Sequence, residues 1–190
     1  SAAGLLAPLE DELLNSVDKY FRSPKKDWVG LTGRVRIFAY APDRVSGLPK
    51  SVDDLTDSTW KGRIGIAPTN ASFQAFITAM IQTRGEAETE KWLRAIMAND
   101  PKFYEKNSLI VEAIDAGEID GGLVNHYYIF EVAEELGREI NVKNSFFAAN
   151  DIGNLINASG IGKLKTSKKQ DAGSELIAFL LAEKAQTFFL

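Results

Sequence analysis

The stretch Ile119-Asp120-Gly121-Gly122-Leu123-Val124 runs straight into Asn125-His126-Tyr127-Tyr128. Its first six residues read as a short buried strand, and a helix starts at its end. Two adjacent tyrosines therefore sit just past the carboxyl end of a strand, where open α/β sheets place their ligands. A phenol, with a pKa of roughly 10, is a poor ligand at neutral pH. A trivalent cation reverses this by driving coordinating groups into their deprotonated form. Two phenolate oxygens on consecutive residues suit a hard ion such as Fe(III) better than Zn(II) or Cu(I), which favour imidazole and thiolate. Adjacent tyrosines also serve as one core ring and one rim ring, so the pair alone leaves both uses open.

Outward from this stretch, strands alternate with helices. Apolar residues at Leu13, Leu14, Val17, Tyr20 and Phe21 predict an amphipathic helix over 9–21. Trp28 to Tyr40 alternates in strand fashion, and 42–58 reads as loop with a short helix at 52–55. Residues 63–67 predict a strand ended by Pro68. Phe73, Phe76, Ile77, Met80 and Ile81 mark the next helix. Helices follow at 86–97, with Trp92, Leu93 and Ile96 inward, and at 108–114, capped by Ser108 and ended by Gly117. Helix 126–136, strands at 145–149 and 161–164, and a helix over 171–189 complete the chain. This order implies an α/β fold with a mainly parallel sheet flanked by helices on both faces.

Composition narrows the function. The chain has 190 residues, 45% of them hydrophobic, a net charge of −4, one histidine and no cysteine. The acidic balance, with a pI near 5.2, speaks against nucleic acid as a partner, and the cluster Lys163 to Lys169 is too dilute to track phosphates. No apolar run approaches about 18 residues, so no segment is expected to insert into a membrane. Thiolate metal sites and thiol catalysis are excluded. No Gly-x-Ser-x-Gly elbow or phosphate-binding Gly-rich loop is present, so the chain reads as no enzyme. Residue 1 enters mid-phrase and the last helix ends on bare apolar residues, so the chain reads as an internal piece of a longer protein.

Three helix starts carry small polar residues: Thr69-Asn70-Ala71-Ser72, Lys106-Asn107-Ser108 and Asn125. Each serves as an ordinary N-cap or leaves backbone N–H groups free for an anion. Beside a tyrosine pair, three of them favour an anion that neutralises metal charge and completes its coordination.

The phrase Gly117 to Tyr128 resembles the signature of bacterial periplasmic ferric-ion-binding proteins, the solute receptors of iron(III) ABC transporters. The likeness extends through Gly33-Arg34-Val35-Arg36-Ile37-Phe38-Ala39-Tyr40, Trp60-Lys61-Gly62-Arg63-Ile64-Gly65, Pro68 to Phe73, Tyr104 to Ser108 and Gly160 to Leu164. It implies a two-lobed type II periplasmic-binding fold. Residues 34–157 would form the ligand-binding lobe, with 1–33 and 158–190 as fragments of the second lobe joined by crossing strands.

Carried over residue by residue, the resemblance implies Fe(III) ligands at Tyr127 and Tyr128. It places a synergistic anion, phosphate or carbonate, on Asn70, Ala71 and Ser72, assisted by Asn107 and Asn125. A third tyrosine found in some members falls on Phe73 and is lost. The family's remaining ligands would lie outside this chain, so the fragment alone is expected to hold iron far more weakly than an intact receptor. His126 takes a surface or supporting role, Tyr40 and Tyr104 pack or hydrogen-bond, and Arg34 or Arg36 approaches the anion or bridges the lobes. The implied partner is an ABC transporter membrane permease, and the implied location is periplasmic or extracellular, free or lipid-anchored. The incomplete lobe leaves a half-sheet open to chain-to-chain packing. A receptor of the same fold for another anionic solute, such as a phosphonate, is the alternative.

Overall fold

The computed structural model of the chain describes residues 3–189. Its strands are β1 (Val29–Tyr40), β2 (Ile64–Ile66), β3 (Lys102–Phe103), β4 (Gly121–Asn125), β5 (Lys143–Ser145) and β6 (Ile156–Ile161). The helices are α1 (Asp11–Asn15), α2 (Ala71–Arg84), α3 (Glu86–Ala98), α4 (Asn107–Asp115), α5 (Tyr128–Leu136), α6 (Gln170–Leu181) and α7 (Glu183–Phe188). Strands pair in the order β3-β2-β4-β1-β5, and β6 also pairs with β1. The parallel part is β3-β2-β4, whereas β1 runs antiparallel to both β4 and β5. The sheet is therefore mixed. The chain divides into two compact units, one of residues up to Gly33 with those from Asn157 onward, the other Arg34–Ile156.

In the Arg34–Ile156 unit the sheet is covered on both faces, which explains why its strands carry few polar residues. Strand periodicity sends Phe38 to one face, with Trp60, Phe73, Phe76, Met80, Trp92 and Ile96. Ile37 and Ala39 go to the other, with Ile110, Ile114, Val124 and Val132. The glycine pair of β4 is a packing requirement. A Cβ on Gly121 would run into the Phe38 ring, and one on Gly122 into Ile110 and the Gly65 carbonyl. In the other unit a smaller core gathers Leu9, Leu13, Leu14, Val29 and Ile177.

Several expected elements shifted, some for a local reason. Helix 9–21 is interrupted after Asn15. The Ser16 hydroxyl donates back to the Leu13 carbonyl and the Asp18 carboxylate accepts from the Tyr20 N–H, so side chains compete with the helical ladder. Tyr20, expected inward, is 78% exposed. The strand expected at 145–149 lies at Lys143–Ser145 instead, because the Asn154 side chain engages the Phe147 N–H and the carbonyls of Phe147 and Ala148. The strand expected at 161–164 is β6, several residues earlier, while Leu164 forms an isolated bridge to Leu6. The last helix breaks at Ala182, whose backbone is extended. Ile81 is largely exposed, since eight residues beyond Phe73 a helix has turned about 80° past two full turns. Ser108 caps nothing: α4 begins at Asn107 with no side-chain cap. Among the described residues no helix is long and apolar enough to cross a membrane.

Candidate metal and anion centre

Strand β4 ends at Asn125, paired opposite Arg36 of β1, and the chain turns within two residues into α5. Tyr127 occupies the N-cap position of α5 with helical φ and ψ, and Tyr128 is its first helical residue. Asn125 thus closes the strand rather than opening the helix. Because the turn is this short, the two phenol rings face each other, with centroids 4.4 Å apart and planes 30° from parallel. Tyr127 stands at the surface, 36% exposed, while Tyr128 packs against the sheet face that carries Ile37, Ala39 and Val124. This is one rim ring and one core ring, yet both phenols share one corner.

Burial pushes the Tyr127 phenol up to about 12, reinforced by the hydrogen bond and charge of Tyr128 and opposed by Asn125 and Arg34. In the free protein that phenol keeps its proton at neutral pH. A cation binding there must displace it, so binding releases protons and strengthens as pH rises. Among the described residues there is no group of three or more His, Cys, Asp or Glu able to hold a metal. The donors on offer are phenols, which suit a hard trivalent ion.

His126 does not present a ligand nitrogen. Its Nδ1 accepts a hydrogen bond from the Val35 N–H at 3.2 Å, so the neutral ring carries its proton on Nε2. The imidazole packs edge-on to the Tyr127 ring at 5.9 Å between centroids.

The second half of the centre was only partly legible in the sequence. Arg36 is 2% exposed, with its guanidinium over the rings of Phe73 and Phe76 at 5.2 and 5.1 Å. Nη2 donates to the Leu123 carbonyl at 3.1 Å and Nη1 reaches the Ser72 hydroxyl at 3.4 Å. Burial lowers the guanidinium to about 9, and the nearby Tyr128 phenol works in the other direction. It is still a cation at neutral pH. Among the described residues no carboxylate pairs with it, and its Nε has no hydrogen-bond partner. A charge inside an apolar alternation usually marks a solvent-facing position; here the face it points to is a core.

Around Arg36 lie the small polar residues of two helix starts. The Asn70 carboxamide caps α2 by accepting from the Ser72 N–H at 2.9 Å and from its hydroxyl at 2.7 Å. The Asn107 Nδ2 donates to the same hydroxyl at 3.1 Å, while its Oδ1 is buried without a partner. The Asn70 N–H closes a turn onto Ala67. Two of the three backbone donors expected to cradle an anion are thus engaged internally, and Ala71 supplies the remaining one. Asn70, Ser72, Asn107 and Arg36 form one bonded cluster, and Arg36 lies opposite Asn125, the last strand residue before the tyrosines. Asn125, buried, borders the tyrosine side. Phe73 is buried and offers no third phenolate.

The chain as a whole matches known proteins. The model of the bacterial extracellular solute-binding protein family matches residues 1–189. The chain is 35% identical over 187 residues to the Fe(3+)-binding periplasmic protein of Serratia marcescens, covering 97% of the chain and 55% of that protein. It is 37% identical over 191 residues to the major ferric iron-binding protein of Neisseria meningitidis serogroup A, covering 98% and 57%. The crystal structure of iron-bound HitA from Pseudomonas aeruginosa superposes with a TM-score of 0.88 at 37% identity, over 98% of this chain and 61% of that one. The chain thus spans little more than half the length of these curated relatives. A buried α/β sheet ending in paired tyrosines, a match along nearly the whole chain and relatives at more than a third identity agree: this chain belongs to the bacterial extracellular solute-binding proteins, a family of transport components rather than enzymes.

Proposed function

We propose that the chain is the ligand-holding part of a periplasmic ferric-ion receptor, in which Tyr127 and Tyr128 bind Fe(III) as phenolates. A small anion, phosphate or carbonate, sits beside them on Ala71, Ser72, Asn70, Asn107 and Asn125, facing the Arg36 charge. On this reading Arg34–Ile156 is one lobe, the remaining residues belong to the second, and the receptor delivers iron to an ABC transporter permease. The observation that carries it is the continuity of the two halves: stacked phenols just past the end of β4, whose last residue Asn125 pairs with Arg36, the buried arginine bonded to Ser72. The names of the relatives from Serratia and Neisseria support the iron. The buried Arg36 cation, with no carboxylate partner among the described residues and an unpartnered Nε donor, supports the anion.

Replacing Ala71 by Pro tests the anion seat. Ala71 is the first residue of α2, where proline is well tolerated, and Asn70 before it already has the extended backbone that a following proline demands. The fold should therefore persist while one N–H donor vanishes. Ferric affinity measured with and without phosphate or carbonate should lose about 1 kcal/mol of its anion-dependent part, the worth of one hydrogen bond. Unchanged anion dependence in a folded variant places the anion elsewhere.

A further inference from the structure

The antiparallel register of β1 and β4 ends at Arg36 opposite Asn125. One step further, Val35 faces His126, and odd-numbered β1 residues are those that bond toward β4: Arg36, between them, turns its N–H to the Leu155 carbonyl. A regular ladder would exchange two bonds here, His126 N–H to Val35 carbonyl and Val35 N–H to His126 carbonyl. The first is present at 3.0 Å. The second is not. The Val35 N–H donates to the His126 imidazole Nδ1, and the released His126 carbonyl accepts from the Asn144 side chain at 2.9 Å.

From this we infer that His126 is a positioning residue. Its imidazole stands in for its own carbonyl in the last rung of the ladder, which frees the backbone to turn into α5 at once without orphaning the Val35 donor. The turn brings Tyr127 to the N-cap, and the same imidazole braces the Tyr127 ring edge-on. A residue lacking a side-chain acceptor would either keep the ladder and delay the helix, moving Tyr127 away from Tyr128, or leave a donor unpaired. The inference rests on the reading of the tyrosines as ferric ligands only where it concerns iron.

Two measurements test it. The chain has a single histidine, so its imidazole 15N signals are unambiguous. At alkaline pH the metal-free protein should show Nδ1 as the unprotonated acceptor and Nε2 as the protonated nitrogen; a proton on Nδ1 overturns the proposal. In the second, ferric titrations compare the wild type with His126→Ala and His126→Asn. The Ala variant should bind about tenfold more weakly, the effect of about one lost hydrogen bond, with a shifted phenolate-to-iron absorption band. The Asn variant, whose amide oxygen can accept the same N–H, should recover most of both. An Ala variant with unchanged affinity and band overturns the positioning role. A wild type that stays colourless with ferric ion fails the ferric reading instead, and the nitrogen signature, which needs no metal, still decides the hydrogen bond.

Discussion

Replacing Tyr127 and Tyr128 together by Phe should abolish ferric binding and leave the fold almost untouched. The rings stay, so the stacking at 4.4 Å and the packing of residue 128 against the Ile37–Ala39 face of the sheet are preserved. Only two hydroxyls leave, one of them on a ring that is 36% exposed. Stability should change by no more than about 1 kcal/mol in urea unfolding. Binding should fall by well over about 100-fold, because loss of mere outer-shell partners already costs 10–100-fold at metal sites. Titration against a chelating competitor reads the first quantity and the unfolding curve the second. A double variant that retains the affinity removes the phenolates from the site.

Arg36→Met should produce opposite signs in stability and binding. A cation 2% exposed, with no carboxylate partner among the described residues, carries a desolvation cost that two hydrogen bonds and two aromatic faces only partly offset. Met has a similar reach and no charge, so the variant should be as stable as the wild type or more so by about 1 kcal/mol. Anion-dependent iron binding should drop between about 10- and 100-fold, the worth of a charge-assisted hydrogen bond. Such a split is what a group retained for function against stability produces. A destabilised variant with intact anion dependence would make Arg36 a structural residue.

What the sequence disclosed and what it hid follow one physical line. The tyrosine pair at a strand end, the Phe73–Phe76–Met80 stripe of α2 and the helix stop at Gly117 rest on local periodicity or local backbone geometry, and each is found where expected; Gly117 follows α4 with a positive φ. Strand direction is not local. β1 pairs with β4 across some ninety residues, and nothing in the alternation of 28–40 says which way its partner runs. The two-residue β3 is too short to show a period. In the site, Asn70, Ser72 and Asn107 could be named from their places at helix starts, but not the bonds that tie up two of the three backbone donors. Arg36 and His126 were the hardest to read. The role of each is set by a neighbour distant in sequence: the Phe73–Phe76 face for one, the Val35 N–H for the other.

Iron seated on phenolates would declare itself directly in the visible spectrum. When ferric ion is added to the wild-type chain in the presence of phosphate or carbonate, a phenolate-to-iron charge-transfer band should appear, grow with pH as the Tyr127 proton is displaced, and be absent from the double Phe variant. A chain that stays colourless with ferric ion, yet is stabilised against unfolding by a phosphonate or another small anion alone, would rule out phenolate-bound iron and make the tyrosines hydrogen-bond donors of an anion receptor.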